Sequence, residues 1–206
     1  DEEVIALPNV LSAIRTARED HNIKGIRLRS DFVSAGWAQS HTIRKALKTF
    51  QSKGKFIYAY GDFFTQKGYF IASVADSIFL NPVGNLEFKG LASEVLYYKD
   101  FQDKYGFKME VVRHGKYKSA VEPFLENEMS AENEYQISSL LQDLWFTIRE
   151  EVSADRGFKT KDLDSLVTQN NTSLPEEALG ANLIDGNAKV TDVNTQVTDW
   201  NPSHKE

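Results

Sequence analysis

The feature that most constrains the fold is an alternation of strand-like and helix-like patterns between residues 25 and 80. Residues 25–29, 55–60 and 77–80 predict three short strands, and the second is rich in aromatic and β-branched residues. Amphipathic spacing between them predicts helices over about residues 40–51 and 68–75. Strands joined through helices form βαβ units with parallel pairing. The sequence therefore predicts an α/β fold with a mostly parallel sheet and flanking helices.

The clearest helix is predicted over about residues 131–155, with Ser130 as its N-cap. Its apolar residues recur at steps of three and four: Ile137, Leu140, Leu141, Leu144, Trp145, Ile148 and Val152. Further patterns predict helices over 8–17, 97–105, 160–167 and 175–182. Residues 108–113 predict another strand, and residues 86–96 stay open between a strand and extended chain. We expect one domain over residues 1–193 and a loose polar tail over 194–206.

Composition excludes several classes of chemistry. The 206 residues include no cysteine, which excludes disulfides, thiolate-bound metals and a cysteine nucleophile. The net charge of −6 argues against general nucleic-acid binding, which requires clustered basic residues. Neither the four histidines nor the scattered carboxylates have the spacing of a metal site, and phosphate-binding and serine-elbow motifs are missing, so we expect no metal or cofactor.

Residues 115–124 read GKYKSAVEPF and stand between a predicted strand and the long helix. Gly115 permits a tight turn after the strand, and the pair Glu122-Pro123 favours extended backbone. We therefore expect Lys118 to lie on a constrained loop. By residue type alone, a lysine there is most often a solvated surface charge. His114 ends the predicted strand, where a lone histidine is most often structural.

This stretch resembles the motif of the protease IV family, also called signal peptide peptidase A. Residues 54–62, 68–76 (GYFIASVAD) and Met129-Ser130 are also similar to that family, and the resemblance covers about residues 5–190. It implies a Clp/crotonase-like fold, a serine nucleophile and a lysine general base. In long, two-repeat members the lysine lies in this motif of the N-terminal repeat, which implies that Lys118 is the general base.

The chain departs from the family at the position of the nucleophile. Short members carry the serine in an SGGYY-type motif, whereas residues 66–70 here read QKGYF. Gln66 occupies the serine position and has no nucleophilic hydroxyl. The chain thus resembles the N-terminal half of a long-form enzyme, whose serine lies in the C-terminal repeat. We expect Ser119 to be structural and Ser73 to be packed.

The resemblance implies part of a membrane-associated serine endopeptidase that degrades cleaved signal peptides, on the periplasmic side of a bacterial inner membrane. The implied partners are the peptide substrate, the missing C-terminal repeat and further copies in a tetramer. No apolar stretch approaches the ~20 residues of a membrane span, and the chain starts at Asp1 without Met, so we expect an anchor in a segment upstream. Alternatives are a non-catalytic scaffold or oligomerisation domain and, less favoured by the motifs, a crotonase-type acyl-CoA enzyme.

Overall fold

The computed structural model describes residues 5–110, 119–169 and 172–193. Packing divides the chain into two compact units. Unit 1 comprises Asp1–Lys89 with Arg149–Glu206, and unit 2 comprises Gly90–Ile148. The single domain over 1–193 stays a prediction, and the tail at 194–206 lies outside the described residues.

Unit 1 is built on a four-stranded parallel sheet in the order β1-β2-β3-β4. Its strands are β1 (Gly25–Leu28), β2 (Phe56–Gly61), β3 (Ser77–Leu80) and the two-residue β4 (Gly186–Asn187). Register pairs Ile26 with Ile57 and Ala59 with Ile78. The three predicted strands are confirmed to within one residue at each end, and the α/β class is confirmed with them.

Besides a helical stretch at residues 190–193, the described ranges contain eight α-helices. They are α1 (Leu7–Glu19), α2 (Trp37–Gln51), α3 (Gln66–Ala72), α4 (Lys99–Tyr105), α5 (Glu122–Leu125), α6 (Ala131–Arg156), α7 (Thr160–Gln169) and α8 (Pro175–Gly180). Seven of them match predicted helices, although α2 begins three residues and α3 two residues earlier than their patterns indicated. The remaining one, α5, follows a 3₁₀ turn at Ser119–Val121 and was not predicted.

The core of unit 1 encloses β2 on both faces. Tyr58 and Tyr60 pack on one face with Val193, and partly buried apolar side chains surround them. Ile57 and Ala59, whose side chains point to the opposite face, are completely buried. A strand covered on both faces reads as a continuous apolar run, which is why the pattern at β2 predicts a strand without alternation.

The long helix begins where its cap predicts. The Oγ of Ser130 accepts a hydrogen bond from the Asn133 amide at 3.2 Å, which satisfies one of the free amides of the first turn. The predicted N-cap is therefore confirmed, and α6 ends one residue beyond its predicted end.

Two local predictions differ from the structure. Of the strand predicted over 108–113, residues 108–110 belong to no strand, and residues 111–113 lie outside the described residues. The extended backbone expected at Glu122-Pro123 is wrong, because Glu122 begins α5. Proline fits the first turn of a helix, where its missing amide leaves no bond unmade. This outweighs the steric bias that proline imposes on the residue before it.

Residues 86–96, left open by the sequence, form no regular strand. Leu86 makes an isolated parallel bridge with Phe64, and the rest of the segment is irregular. None of the helices in the described part of the chain combines the length and the apolar character that crossing a lipid bilayer requires.

Candidate active site

The loops that follow β1 and β2 lie at the carboxyl end of the sheet, the usual place for sites in parallel α/β folds. Asp31, after β1, bonds to the loop after β2. Its Oδ1 accepts from the amide of Asp62 at 2.6 Å and from that of Phe63 at 3.4 Å. Its carbonyl oxygen accepts from the amide of Thr65 at 3.3 Å. Asp31 thus holds the connection that leads into α3.

The first turn of α3 packs directly against the loop after β1. Thr65 caps the helix through its Oγ1, which accepts from the Gly68 amide at 3.2 Å. The hydroxyl of Ser30 donates to the Gly68 carbonyl at 2.9 Å. A Cβ placed on Gly68 would lie 2.0 Å from the Ser30 carbonyl oxygen, so only glycine allows this approach.

Gln66 is the first residue of α3 and is half-buried. Its Oε1 accepts a hydrogen bond from the Lys89 amide at 3.0 Å. The residue expected at the nucleophile position therefore stands at a helix start that follows a strand of the parallel sheet. Its amide group has no hydroxyl that could attack a carbonyl carbon.

The carboxylate of Asp62 is surrounded by donors. Arg29 Nη2 lies 2.7 Å from Oδ2, while Asn81 Nδ2 and the Tyr60 hydroxyl lie 2.9 Å and 3.1 Å from Oδ1. The hydrogen bond from Asn81, with those from Tyr60 and Arg29, holds the pKa of Asp62 below its ordinary value. A carboxylate kept ionised in this way serves as an acceptor and an anchor.

A buried arginine joins α3 to two other helices of unit 1. Arg44, on α2, is 1% exposed. Its Nη1 donates to the Phe70 carbonyl and to the Ser73 hydroxyl, and its guanidinium lies over the Phe70 ring at 4.2 Å. The expectation that Ser73 is packed is confirmed, since it is 1% exposed and bonded to Arg44.

Two carboxylates of α6 complete this cluster. Arg44 Nε donates to Glu151 at 2.7 Å, and Nη2 donates to Asp155. His41 and Lys48 each lie 2.7 Å from one of the same carboxylates. Burial alone would raise the pKa of Glu151, but the hydrogen bond and charge of Arg44 hold it below its ordinary value. The sequence alone did not predict this cluster.

Unit 2 contains the motif that resembles the family's lysine motif. Lys118 and His114 lie outside the described residues. Ser119, the residue after Lys118, begins the 3₁₀ turn and is half-buried. The role of Lys118 as general base therefore stays a prediction.

Three residues beyond this serine, Glu122 is 1% exposed. Its carboxylate accepts from the Ser130 hydroxyl at 2.6 Å and from Asn133 Nδ2 at 2.9 Å. A buried carboxylate needs such donors to offset its lost hydration. Glu122 thereby ties the segment that follows the lysine motif to the first turn of α6. Glu122 belongs to the GKYKSAVEPF motif, but the sequence did not indicate that it anchors this segment.

Within the described ranges, no group of three or more histidine, aspartate or glutamate side chains is arranged to hold a metal ion. The carboxylates of Asp31 and Asp62 at the carboxyl end of the sheet instead accept hydrogen bonds from a backbone amide and from arginine.

Comparison with known proteins identifies the family. Residues 49–201 match Peptidase family S49, a range that includes both Gln66 and Lys118. "Protease 4" of Salmonella typhi is 38% identical over 159 residues, which cover 77% of this chain and 26% of that protein. "Protease 4" of Haemophilus influenzae is 39% identical over 152 residues, covering 73% and 25%. "Serine protease SPPA, chloroplastic" of Arabidopsis thaliana is 28% identical over 165 residues, covering 80% and 24%.

The chain spans about a quarter of the length of these relatives. The family has a Clp/crotonase-like fold, which agrees with the parallel sheet and flanking helices and confirms the predicted fold class. Since the family match covers most of the chain, from the end of α2 onward, the chain belongs to Peptidase family S49.

Proposed function

We propose that this chain is part of a serine endopeptidase in which Lys118 is the general base and the serine nucleophile comes from another part of the protein. The observation that carries the proposal is Gln66 at the start of α3, in the family's nucleophile position. Membership of a peptidase family and the GKYKSAVEPF motif support the role of Lys118.

In the proposed reaction, the serine Oγ attacks the carbonyl carbon of the scissile peptide bond as its proton passes to the neutral Lys118 amine. Backbone amides stabilise the resulting oxyanion. The intermediate collapses to an acyl-enzyme when lysine returns the proton to the leaving amine. Water then attacks the ester, lysine again accepts and returns a proton, and the serine is restored. No metal or cofactor takes part in these steps.

A lysine can act as a base only when it is neutral. Its reference pKa is about 10.4, so a solvated lysine is almost entirely charged at neutral pH. Enclosure in an apolar site lowers the pKa of a lysine by disfavouring its charged form. We propose that the part of the protein that carries the serine also supplies this enclosure, so that the isolated chain is inactive.

The proposed substrates are cleaved signal peptides. We further propose that the whole protein is a tetramer anchored to a bacterial inner membrane, with this chain on the periplasmic side. Two of the relatives reported above are bacterial proteins named as proteases, which supports a bacterial protease of this kind. The C-terminal repeat with the serine is the partner that the mechanism requires.

A second candidate function is a non-catalytic scaffold. It is favoured by one observation, that the Gln66 side chain bonds to the backbone of its own unit. In that case neither Gln66 nor Lys118 takes part in hydrolysis. The acyl-CoA alternative has no comparable support, because the family match is to peptidases.

The test is hydrolysis of casein and of a synthetic signal peptide by the full-length gene product. We expect Lys118→Ala and Lys118→Arg to lower kcat by about 10²–10⁴, the usual contribution of a general base. Lys116→Ala, which removes a lysine two positions away, is the matched control and should retain activity. Wild-type rates in both Lys118 variants would remove this lysine from the mechanism and favour the scaffold.

A further inference from the structure

A short parallel pairing runs beside the start of α3. Phe64 forms a bridge with Leu86. The Phe64 amide donates to the Asn85 carbonyl at 2.9 Å, and the Phe64 carbonyl accepts from the Glu87 amide at 2.8 Å. In a parallel ladder, bonds continue at every second residue. The ladder would continue with a bond from the residue 66 amide to the Glu87 carbonyl and then one from the Lys89 amide to the carbonyl of residue 66.

At residue 66 the backbone has already entered a helix, so its carbonyl is directed along the helix axis. The side chain takes over the missing rung, since the Gln66 Oε1 accepts from the Lys89 amide at 3.0 Å. The side-chain amide therefore extends the ladder by one step beyond the point where the strand-like backbone ends. The hydroxyl oxygen of a serine at this position lies two bonds closer to its own backbone, so it would not reach the Lys89 amide.

The segment held in this way is well anchored up to Phe88. Phe88 is completely buried, and its ring lies 5.2 Å from that of Tyr69 on α3. Its carbonyl accepts from the buried Thr172 hydroxyl at 3.4 Å. On the other side of the bridge, the Leu86 amide donates to the Ser173 carbonyl at 2.9 Å. Lys89 is exposed and directly follows this anchored segment.

Lys89 is also the last residue of this part of unit 1. Unit 2 begins at Gly90, whose φ of 87° lies in the left-handed region that favours glycine. The hydrogen bond from the Lys89 amide to Gln66 therefore restrains the chain at the residue before it turns and enters unit 2. Unit 2 contains the lysine motif, at residues 115–124.

We propose that Gln66 is a positioning residue: in place of a nucleophile, this chain uses the position to fix Lys89 and so the point at which the chain enters unit 2. A glutamine suits this role because its side chain is long enough to reach the Lys89 amide and ends in an acceptor oxygen. The restraint on Lys89 stands on geometry alone. Its effect on catalysis rests on the proposed function of Lys118.

The direct test is residue-resolved hydrogen exchange at the Lys89 amide in the full-length protein. Gln66→Leu removes the acceptor, Gln66→Ser shortens it, and Gln66→Glu retains an acceptor oxygen at the same reach. We expect exchange at Lys89 to rise about tenfold in the Leu and Ser variants, in proportion to one lost hydrogen bond, and to stay near wild type in the Glu variant. The Glu87 amide, which bonds to the Phe64 carbonyl, should be unchanged in all three.

Gln142→Leu, at an exposed glutamine of α6, is the control for a change from glutamine to leucine elsewhere in the chain. Unchanged protection of Lys89 in both Gln66→Leu and Gln66→Ser would overturn the inference. This outcome is independent of Lys118, whose substitution tests the proposed function separately.

Peptide hydrolysis supplies the second readout. We expect kcat to fall several-fold in Gln66→Leu and Gln66→Ser and to be rescued in Gln66→Glu, with little change in KM. Loss of Lys89 protection with full activity in all variants would refute the catalytic consequence. If hydrolysis does not require Lys118 but Lys89 loses its protection in the Gln66 variants as expected, only the proposed function is refuted.

Discussion

Arg44 shows how one side chain can connect three helices. It lies on the same face of α2 as the buried Leu47 and Phe50. It bonds to Ser73 at the end of α3 and to Glu151 and Asp155 of α6. The sequence contains a signal for this, a charged residue within an apolar stripe of a helix. The pattern alone gives no partner, because Glu151 is 107 positions away in the sequence.

We predict that Arg44→Met destabilises the protein by about 3–5 kcal/mol, since it removes a buried charge and leaves two half-buried carboxylates without their main partner. Lys45→Met, at the exposed neighbouring position of the same helix, is the matched control and should change stability by less than about 0.5 kcal/mol. Urea denaturation followed by circular dichroism measures both. Equal stability of the two variants would contradict the role assigned to Arg44.

At the scale of elements, α3 depends on a close approach that only glycine allows. Gly68 lies in the first turn of this buried helix, against the Ser30 carbonyl. A larger residue would push the start of α3 away from the loop after β1. The N-terminal end of α3 carries Gln66, so the packing of Gly68 and the position of Gln66 are linked.

Gly68→Ala should therefore destabilise the protein by about 1–3 kcal/mol, the usual cost of forcing a methyl group into a packed site. Gly180→Ala is the control, because a Cβ on Gly180 meets no atom within 4 Å. Thermal unfolding should show a lower Tm for the first variant only. A Tm for Gly68→Ala at or above that of Gly180→Ala would be inconsistent with the close approach.

Elements with a strong period could be predicted from the sequence, and those shaped by tertiary contacts could not. The apolar run at β2 indicates only a strand, and the long apolar stripe of α6 indicates only a helix. β4 has two residues and exists only because Gly186 and Asn187 pair with β3. α5 has four residues, and its proline was interpreted as a sign of extended chain. Local propensity cannot decide segments as short as these.

At the scale of the whole molecule, the chain belongs to a peptidase family but spans about a quarter of its relatives' length. The order of strands and helices predicted the α/β class, because alternation at this spacing allows few topologies. The candidate site was predicted from a motif, which names residue types but not their three-dimensional arrangement. Asp31, Arg44 and Glu122 act through partners distant in the sequence or across a turn, and no local pattern identifies those partners.

In the proposed mechanism, this chain supplies the base and another part of the protein supplies the serine. The most direct measurement is labelling of the full-length protein with a fluorophosphonate, followed by mass spectrometry of the labelled peptide. We predict a single labelled serine outside these 206 residues, with labelling that is lost in Lys118→Ala and retained in Lys116→Ala. A labelled serine within the chain, such as Ser119 or Ser73, or labelling that is independent of Lys118, would contradict the claim.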